Sequence, residues 1–460
     1  MQEGTMEYKD FLKSAANVVP SKRQLAWYDM QFYAFVHFTV NTYTDLEWGL
    51  GDEDEKIFNP VELDCDQWVE AVKSAGMKGI VLTAKHHDGF CLWQTETTGH
   101  SVKNSLWQNG KGDVVRECAQ ACKRGGIKFG FYLSPWDRNS PLYGTDAYND
   151  LYCAQLTELL TNYGDIFMVW FDGACGEGPN GRKQNYDFPR YINLIRTLQP
   201  EAFIFSDFGP DVRWCGNESG SCRRAEWAVV PHDLCFRAEK QTGAGPVKGD
   251  LSYLYNTDEC IGDLHVIEQA SGLSFCGAEI DMSIRPGWFY HANEKPHSLE
   301  RLMQTYLNSC GNNTSFNLNI PPMPNGKFHP DDVARLKEFG EALHNSFGED
   351  KKVPFEQTEI PVSSDTQRRI RLKLPEKVKI AYVELRENIA RGQRVEMFRI
   401  IAASEQEKPF DRFSGETLYD GYTVGNRKIC PVSAETDVLE IQILSARDTV
   451  DLKEITVYKV

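Results

Sequence analysis

The chain has 460 residues, 41% hydrophobic and 12% aromatic, with a formal net charge of −16. That length favours two domains with a sizeable core, and the acidic balance argues against nucleic acid or an anionic membrane as partner, since both need a basic face. No run of about 18 apolar residues offers a membrane span, residues 1–10 lack the basic-then-apolar form of a signal peptide, and the 13 cysteines are scattered without a Cys-x-x-Cys pair, so the sequence reads as cytoplasmic, with reduced thiols rather than a disulfide scaffold or a zinc site.

Short apolar runs alternate with amphipathic stretches over the first three quarters of the chain. Strands are expected at Phe32–Phe38, Gly79–Lys85, Lys128–Ser134, Ile166–Phe171, Ala202–Ser206, Glu226–Val230, Glu279–Ile284 and Ser315–Ile320, each rich in β-branched or aromatic residues and bounded by Gly, Pro, Asp or Asn. Helices fall between several of them. Asp64 reads as an N-cap with Gln67 as its capping-box partner, and Gly76 as the residue past that helix's end. Asp113 caps the next helix, whose stripe is Val114, Val115, Cys118 and Cys122 and whose last turn holds Lys123 and Arg124. Helices at Tyr148–Tyr163 and Phe188–Leu198 follow. Strand–helix alternation with about eight strands predicts an α/β fold, a (β/α)8-like (TIM) barrel. Residues 207–278 break the rhythm and are expected to form long loops or to lack helices.

After a helix at Pro330–Ser346 the texture changes. Alternating runs at Arg369–Leu374, Lys377–Leu385, Arg394–Ile401, Leu418–Val424, Val438–Leu444 and Glu454–Tyr458 predict an all-β C-terminal sandwich. The expected division is a catalytic barrel over residues 1–346 and a sandwich over 353–460, linked by Phe347–Pro354.

Two carboxylates stand out. In Val-Trp-Phe-Asp-Gly (Val169–Gly173) an apolar strand runs into an acid, as a barrel delivers a group to its catalytic face; side-chain alternation puts Met168, Trp170 and Asp172 on one face. In Trp-Cys-Gly-Asn-Glu (Trp214–Glu218), Glu218 sits in a loop between Trp214 and Trp227. Apolar rings strip a carboxyl of solvation and raise its pKa, which suits a general acid; Glu226 is the next candidate for that role. Each acid has a plain alternative, a turn-opening Asp and a solvated loop Glu. Lys-His-His-Asp-Gly-Phe (Lys85–Phe90) closes the second strand, and His37 closes the first with Glu47 and Trp48 in the loop beyond. These groups could hydrogen-bond a polar substrate, serve structurally, or ligate a metal, although no His-x-His or His-Glu-x-x-His spacing is present. His, Glu and Trp on several barrel loops favour a sugar pocket. Three readings stand at this point: a glycosidase, a non-catalytic carbohydrate-binding protein, and a metal-dependent hydrolase using His37, His86 and His87.

Several motifs in order then narrow the choice: Phe-Val-His-Phe-Thr-Val-Asn-Thr (Phe35–Thr42), Lys-His-His-Asp-Gly-Phe, Phe-Tyr-Leu-Ser-Pro-Trp-Asp (Phe131–Asp137), Trp-Phe-Asp-Gly (Trp170–Gly173), Trp-Phe-Tyr-His (Trp288–His291) and Leu-Asn-Ile-Pro-Pro (Leu318–Pro322). By these the chain resembles the α-L-fucosidases of glycoside hydrolase family 29, from about Trp27 to Pro322 and more weakly beyond. The resemblance implies a barrel followed by a β-sandwich, a retaining exo-acting mechanism, no cofactor and no metal. It implies Asp172 as nucleophile, and the stretch Gly209–Glu218 resembles the branch with Glu218 as acid/base, acting on α-1,3- and α-1,4-linked fucose of branched, Lewis-type glycans. It further implies that His37, Glu47, Trp48, His86, His87, Tyr132 and Trp170 hold the fucose, that Trp288 walls its methyl group, and that Trp136 and Asp137 lie toward the adjoining sugar. The expected partner is a fucosylated oligosaccharide or glycan.

Overall fold

The computed structural model describes residues 3–207, 209–232, 260–403 and 416–460. Eight strands close into an all-parallel barrel: β1 (Phe32–Val36), β2 (Gly79–Lys85), β3 (Lys128–Leu133), β4 (Met168–Trp170), β5 (Phe203–Ser206), β6 (Val212–Trp214), β9 (Gly277–Ser283) and β10 (Ser315–Asn319), in the cyclic order β1-β10-β9-β6-β5-β4-β3-β2. Two further strands between them, β7 (Val229–Pro231) and β8 (Leu273–Phe275), pair antiparallel outside the barrel.

Seven of the eight expected strands are barrel strands. The exception is Glu226–Val230, whose end became β7. The place in the barrel belongs to Val212–Trp214, inside the stretch read as irregular. Three residues carry no periodicity; they are a strand because Val212 and Arg213 pair with Phe205 and Ser206 on one side and with Gly277 and Ala278 on the other. The rest of the expected loop region lies in part outside the described residues, at 233–259.

Alternation along the strands separates two apolar layers. Tyr33, Phe35, Tyr132, Met168, Trp170, Phe203 and Phe205 fill the barrel interior. Their neighbours Ala34, Val36, Phe131, Val169 and Ile204 face the surrounding helices. The helix Cys65–Ser74 starts on Asp64, whose side chain accepts from Gln67 N. Gln67 does not complete the expected capping box. Its amide instead bridges Phe328, donating to the carbonyl and accepting from the N–H, so tertiary contact outbids the local one. The helix Val114–Gly125 is capped by Asp113 and ends at Gly126 in the left-handed conformation, which glycine adopts without strain. Cys118 and Cys122 are buried on its inner stripe.

The helix Pro330–Phe347 leads to six antiparallel strands: β11 (Glu356–Ile360), β12 (Arg368–Glu387), β13 (Val395–Ala402), β14 (Glu416–Gly421), β15 (Lys428–Ala446) and β16 (Leu452–Lys459). β12 merges two expected strands, with a register shift between Lys373 and Val378. Its first half pairs with β11 and its second with β16, while β15 follows it along both. Residues of both halves, among them Leu372, Leu385, Ile441 and Val457, line one core. This unit braces the barrel: Arg427 donates to the Tyr306 hydroxyl at 2.9 Å, and Gln393 accepts from Ala228 N at 2.8 Å.

Candidate active site

The carboxyl ends of the parallel strands all open on one side, where the backbone leaves the ladder and side chains turn toward a common mouth. A cavity of about 280 Å³ lies there, lined by His37, Glu47, Trp48, His86, His87, Tyr132, Trp170, Asp172, Asp207, Trp214, Glu218, Asp281 and Trp288, among others. It is slightly smaller than the usual range for small-molecule pockets, a size that suits one sugar ring rather than a long chain.

Asp172 continues the inward parity of Met168 and Trp170 two residues past the end of β4. Its Oδ2 accepts from the Tyr132 hydroxyl at 3.0 Å and its Oδ1 from Ala174 N at 2.7 Å. His87 Nε2 is 3.8 Å from Oδ2. Trp170 forms the floor, stacked on Phe205 at 4.1 Å between ring centroids and donating to Glu279 at 2.8 Å.

The three cavity histidines, His37, His86 and His87, are neutral. Burial holds His37 down at about 3, despite its hydrogen bond to Asn319 and the Asp172 charge. Its Nδ1 is 2.9 Å from Asn319 Oδ1, an acceptor, so Nδ1 carries the proton and Nε2 is free to accept. Burial also lowers His87, against the pull of Asp172. Ser134 donates its hydroxyl proton to Trp136 O and must accept from His87 Nδ1, 2.7 Å away. Burial lowers His86 further, with the neighbouring histidines adding to it. Acceptor nitrogens at His37 and His87 are what sugar hydroxyls need. Among the described residues no group of three or more His, Cys, Asp or Glu side chains could hold a metal ion.

Glu218 stands exposed at the mouth, four residues past β6. Its Oε2 accepts from Trp288 Nε1 at 3.1 Å. Lost solvation raises its pKa; the Trp288 hydrogen bond opposes that, and the charges of Asp172 and Glu47 add to it. The ring beside it is therefore Trp288, from a loop 70 residues away. Trp227 packs elsewhere, under the Arg447 guanidinium at 3.5 Å. Glu226, the alternative acid/base, is buried in ion pairs with Arg213 and Arg223 and lines no part of the cavity.

Of the sequence-predicted site residues, Trp136 and Asp137 do not line the cavity. Trp136 stands at its rim, with its ring centroid 4.8 Å from His87 and 5.6 Å from Trp48. Asp137 is turned away from the adjoining-sugar position expected of it. Its side chain is 4% exposed and holds Lys85 Nζ at 3.1 Å, and it accepts from Asn139 N and Ser140 N at 3.0 and 2.8 Å. A carboxylate so enclosed shapes the β3 loop and cannot reach a ligand.

Two further carboxyls line the cavity that sequence reasoning missed. Asp207, directly after β5, is pushed up to about 7 by burial and by the nearby Asp172 charge. Asp281, on β9, is raised by burial and by Glu218, and accepts from Trp214 Nε1 at 2.7 Å. The signal for Asp207 was its place immediately after an apolar run, the same as for Asp172; Asp281 sits within its strand and gave none.

The α-L-fucosidase family model matches residues 11–348. Alpha-L-fucosidase 1 of Arabidopsis thaliana is 38% identical over 437 residues, 89% of this chain and 81% of that one. A Bacteroides ovatus crystal structure assigned as an α-L-fucosidase superposes with a TM-score of 0.88 at 40% identity, covering 98% of this chain and 76% of that one. A Ruminococcus gnavus family 29 fucosidase, solved in complex with fucose, superposes with a TM-score of 0.80 at 27% identity, covering 96% and 95%. A barrel mouth with a single-sugar cavity and paired carboxyls thus coincides with matches over nearly the whole chain, and the protein belongs to the α-L-fucosidases of glycoside hydrolase family 29.

Proposed function

We propose that this enzyme is a retaining exo-α-L-fucosidase with Asp172 as nucleophile and Glu218 as acid/base. The observation that carries the reading is the contrast between two carboxyls of one cavity. Asp172 is oriented by two hydrogen-bond donors below the sugar position. Glu218 stands at the mouth with a raised pKa, to which the Asp172 charge contributes. A carboxyl at the mouth whose acid form persists to higher pH than a solvated glutamate's is placed to meet a leaving group, and an oriented carboxylate at depth is placed to meet an anomeric carbon.

In this mechanism Asp172 Oδ attacks the anomeric carbon as the glycosidic bond breaks, and Glu218 gives its proton to the departing oxygen. Glu218, now a carboxylate, takes a proton from water, and that oxygen displaces Asp172 from the anomeric carbon. Two inversions restore the α configuration. Neutral His37 and His87 accept from fucose hydroxyls, Glu47 and His86 complete the polar wall, Trp170 forms the floor and Trp288 faces the methyl group.

The substrate we propose is terminal α-1,3- or α-1,4-linked fucose on branched glycans. Support comes from the small cavity, which admits one terminal sugar, and from the exposed Trp48 ring at its rim, held edge-on by the buried Trp136, which offers an apolar face to a branched leaving group. The test is azide rescue. Azide should yield β-fucosyl azide with Asp172→Ala, because one inversion occurs, and α-fucosyl azide with Glu218→Ala, because two occur. The same anomer from both variants would overturn the assignment.

A further inference from the structure

His291 ends the Trp-Phe-Tyr-His run, lines no part of the cavity, and lies between two carboxylates. Its Nδ1 is 2.5 Å from Asp45 Oδ1 and its Nε2 is 2.7 Å from Glu47 Oε1. Carboxylates accept and do not donate, so both ring nitrogens carry hydrogen and the ring is an imidazolium. Asp45 and Glu47 belong to the loop after β1; His291 belongs to the loop after β9. In the barrel β10 separates these strands, so the ion pair joins two loops that share no ladder.

Glu47 extends the link. Its Oε2 accepts from Trp288 N at 2.8 Å and its Oε1 from Phe289 N at 3.1 Å. On the opposite side Asn319 Nδ2 donates to Trp288 O at 2.8 Å. The Trp288 backbone is thereby held from two directions, and its indole N–H points at Glu218. Among the described residues three donors converge on the Glu47 carboxylate, from Trp288, Phe289 and His291. Without the imidazolium, Glu47 would keep two backbone donors but lose its only opposite charge among these contacts.

We infer that His291 is a positioning residue for this active site: its imidazolium clamps the β1 and β9 loops through Asp45 and Glu47, and so fixes the Trp288 indole that orients the Glu218 carboxyl. The inference rests on the reading of Glu218 as acid/base. The groups facing His291 are Asp45 and Glu47 from the β1 loop and Glu294 from its own loop. Partial burial works against its charge, but the two hydrogen bonds and the Glu47 and Glu294 charges outweigh burial and hold the ring above its usual range. Above that raised value one ring nitrogen presents a lone pair to a carboxylate, and the clamp opens.

The test uses the full chain and three variants, His291→Ala, His291→Gln and Asp45→Asn. The readouts are Ki for free L-fucose across pH, and kcat/KM on a Lewis-type trisaccharide and on a dinitrophenyl fucoside. Because hydrogen bonds to a charged group are at stake, His291→Ala should raise Ki about tenfold. It should also lose about tenfold more on the trisaccharide than on the aryl fucoside, because only the former needs the acid. His291→Gln, whose amide can still donate to Glu47, should recover to within about threefold of wild type. Asp45 is exposed, so Asp45→Asn should fold normally; by removing an anion it should move the alkaline weakening of fucose binding to lower pH. A Ki unchanged in His291→Ala overturns the clamp, as does an Asp45→Asn profile superimposable on wild type. Should His291→Ala fail to fold, Asp45→Asn decides. A Glu218→Ala control separates the two readings: undiminished trisaccharide turnover there removes Glu218 as the acid, whereas the fucose Ki reports the clamp without any role for Glu218.

Discussion

The Tyr132 hydroxyl donates to Asp172 Oδ2 at 3.0 Å, tying the end of β3 to the acid that follows β4. The two side chains lie 40 positions apart and meet because Tyr132 pairs with Trp170 in the barrel ladder. The bond fixes the carboxylate rotamer at the depth where an anomeric carbon would sit. We expect Asp172→Ala to retain its fold and lose essentially all turnover. Tyr132→Phe should keep the ring packing and lose one donor, lowering kcat by about ten- to a hundredfold. Steady-state kinetics alongside circular dichroism check both; wild-type-like rates in Asp172→Ala would remove it as nucleophile.

Glu218→Ala should discriminate between leaving groups. An alkoxide needs a proton to depart, whereas a dinitrophenolate does not. The variant should lose about three orders of magnitude on glycans and far less in the fucosylation step with dinitrophenyl fucoside. Pre-steady-state burst kinetics separate that step from the slow hydrolysis that follows. Equal losses on both substrates would move the role to another carboxyl, and Asp207 is then the first to test, because it lines the same cavity.

The pH profile follows from the direction of the Glu218 shift. Its pKa is raised, so the protonated form, the active one under the proposed role, persists to higher pH than for a solvated glutamate. Activity should fall as pH rises through that value and the acid loses its proton. In Glu218→Ala the alkaline limb measured on a glycan, whose leaving group needs the proton, should disappear, and a limb retained unchanged would assign it elsewhere.

Linkage selectivity is checked by comparing a Lewis-type trisaccharide with 2′-fucosyllactose. We expect kcat/KM to favour the branched substrate by at least about a hundredfold. Trp136→Ala, which removes the rim ring packed against Trp48 and His87, should reduce that ratio mainly by harming the branched substrate. Equal rates on the two glycans would overturn the proposed linkage preference.

Glu279 makes a stability prediction. It is buried beneath Trp170, accepts from Trp170 Nε1, Asn317 Nδ2 and the Tyr33 hydroxyl, and is pushed up to about 7, mainly by burial. Its ordinary value is 4.5. Between these values the folded state holds a proton that the unfolded state has released, so stability declines as pH rises, at up to about 1.4 kcal/mol per pH unit. Above about 7 both states are ionised and the loss is complete. Glu279→Gln has no proton to lose. Its Tm relative to wild type should therefore rise from pH 5 to pH 7 and level off above; a difference independent of pH would show that Glu279 does not titrate in this window.

The sequence by itself determined the elements whose information is local. Alternation in Met168–Asp172 set which side chains face the barrel interior, and apolar runs ending in polar residues put His37, His86, His87 and Asp172 at strand ends. Asp64 and Asp113 were legible as caps because capping needs only the next three residues. The tertiary structure decided what depends on partners distant in the chain. Val212–Trp214 became a strand through its neighbours on both sides, while Glu226–Val230, better patterned, was left outside the barrel. Asp137 turned inward because Lys85, 52 residues earlier, needed a counter-charge in an apolar layer. Trp288, not Trp227, came to flank Glu218; Asp207 after β5 and Asp281 within β9 came to line the same cavity, with His291 beside it on Glu47. A residue's type and periodicity travel with the sequence. Its solvation, its charged neighbours and therefore its protonation state are set by which strands the barrel brings together.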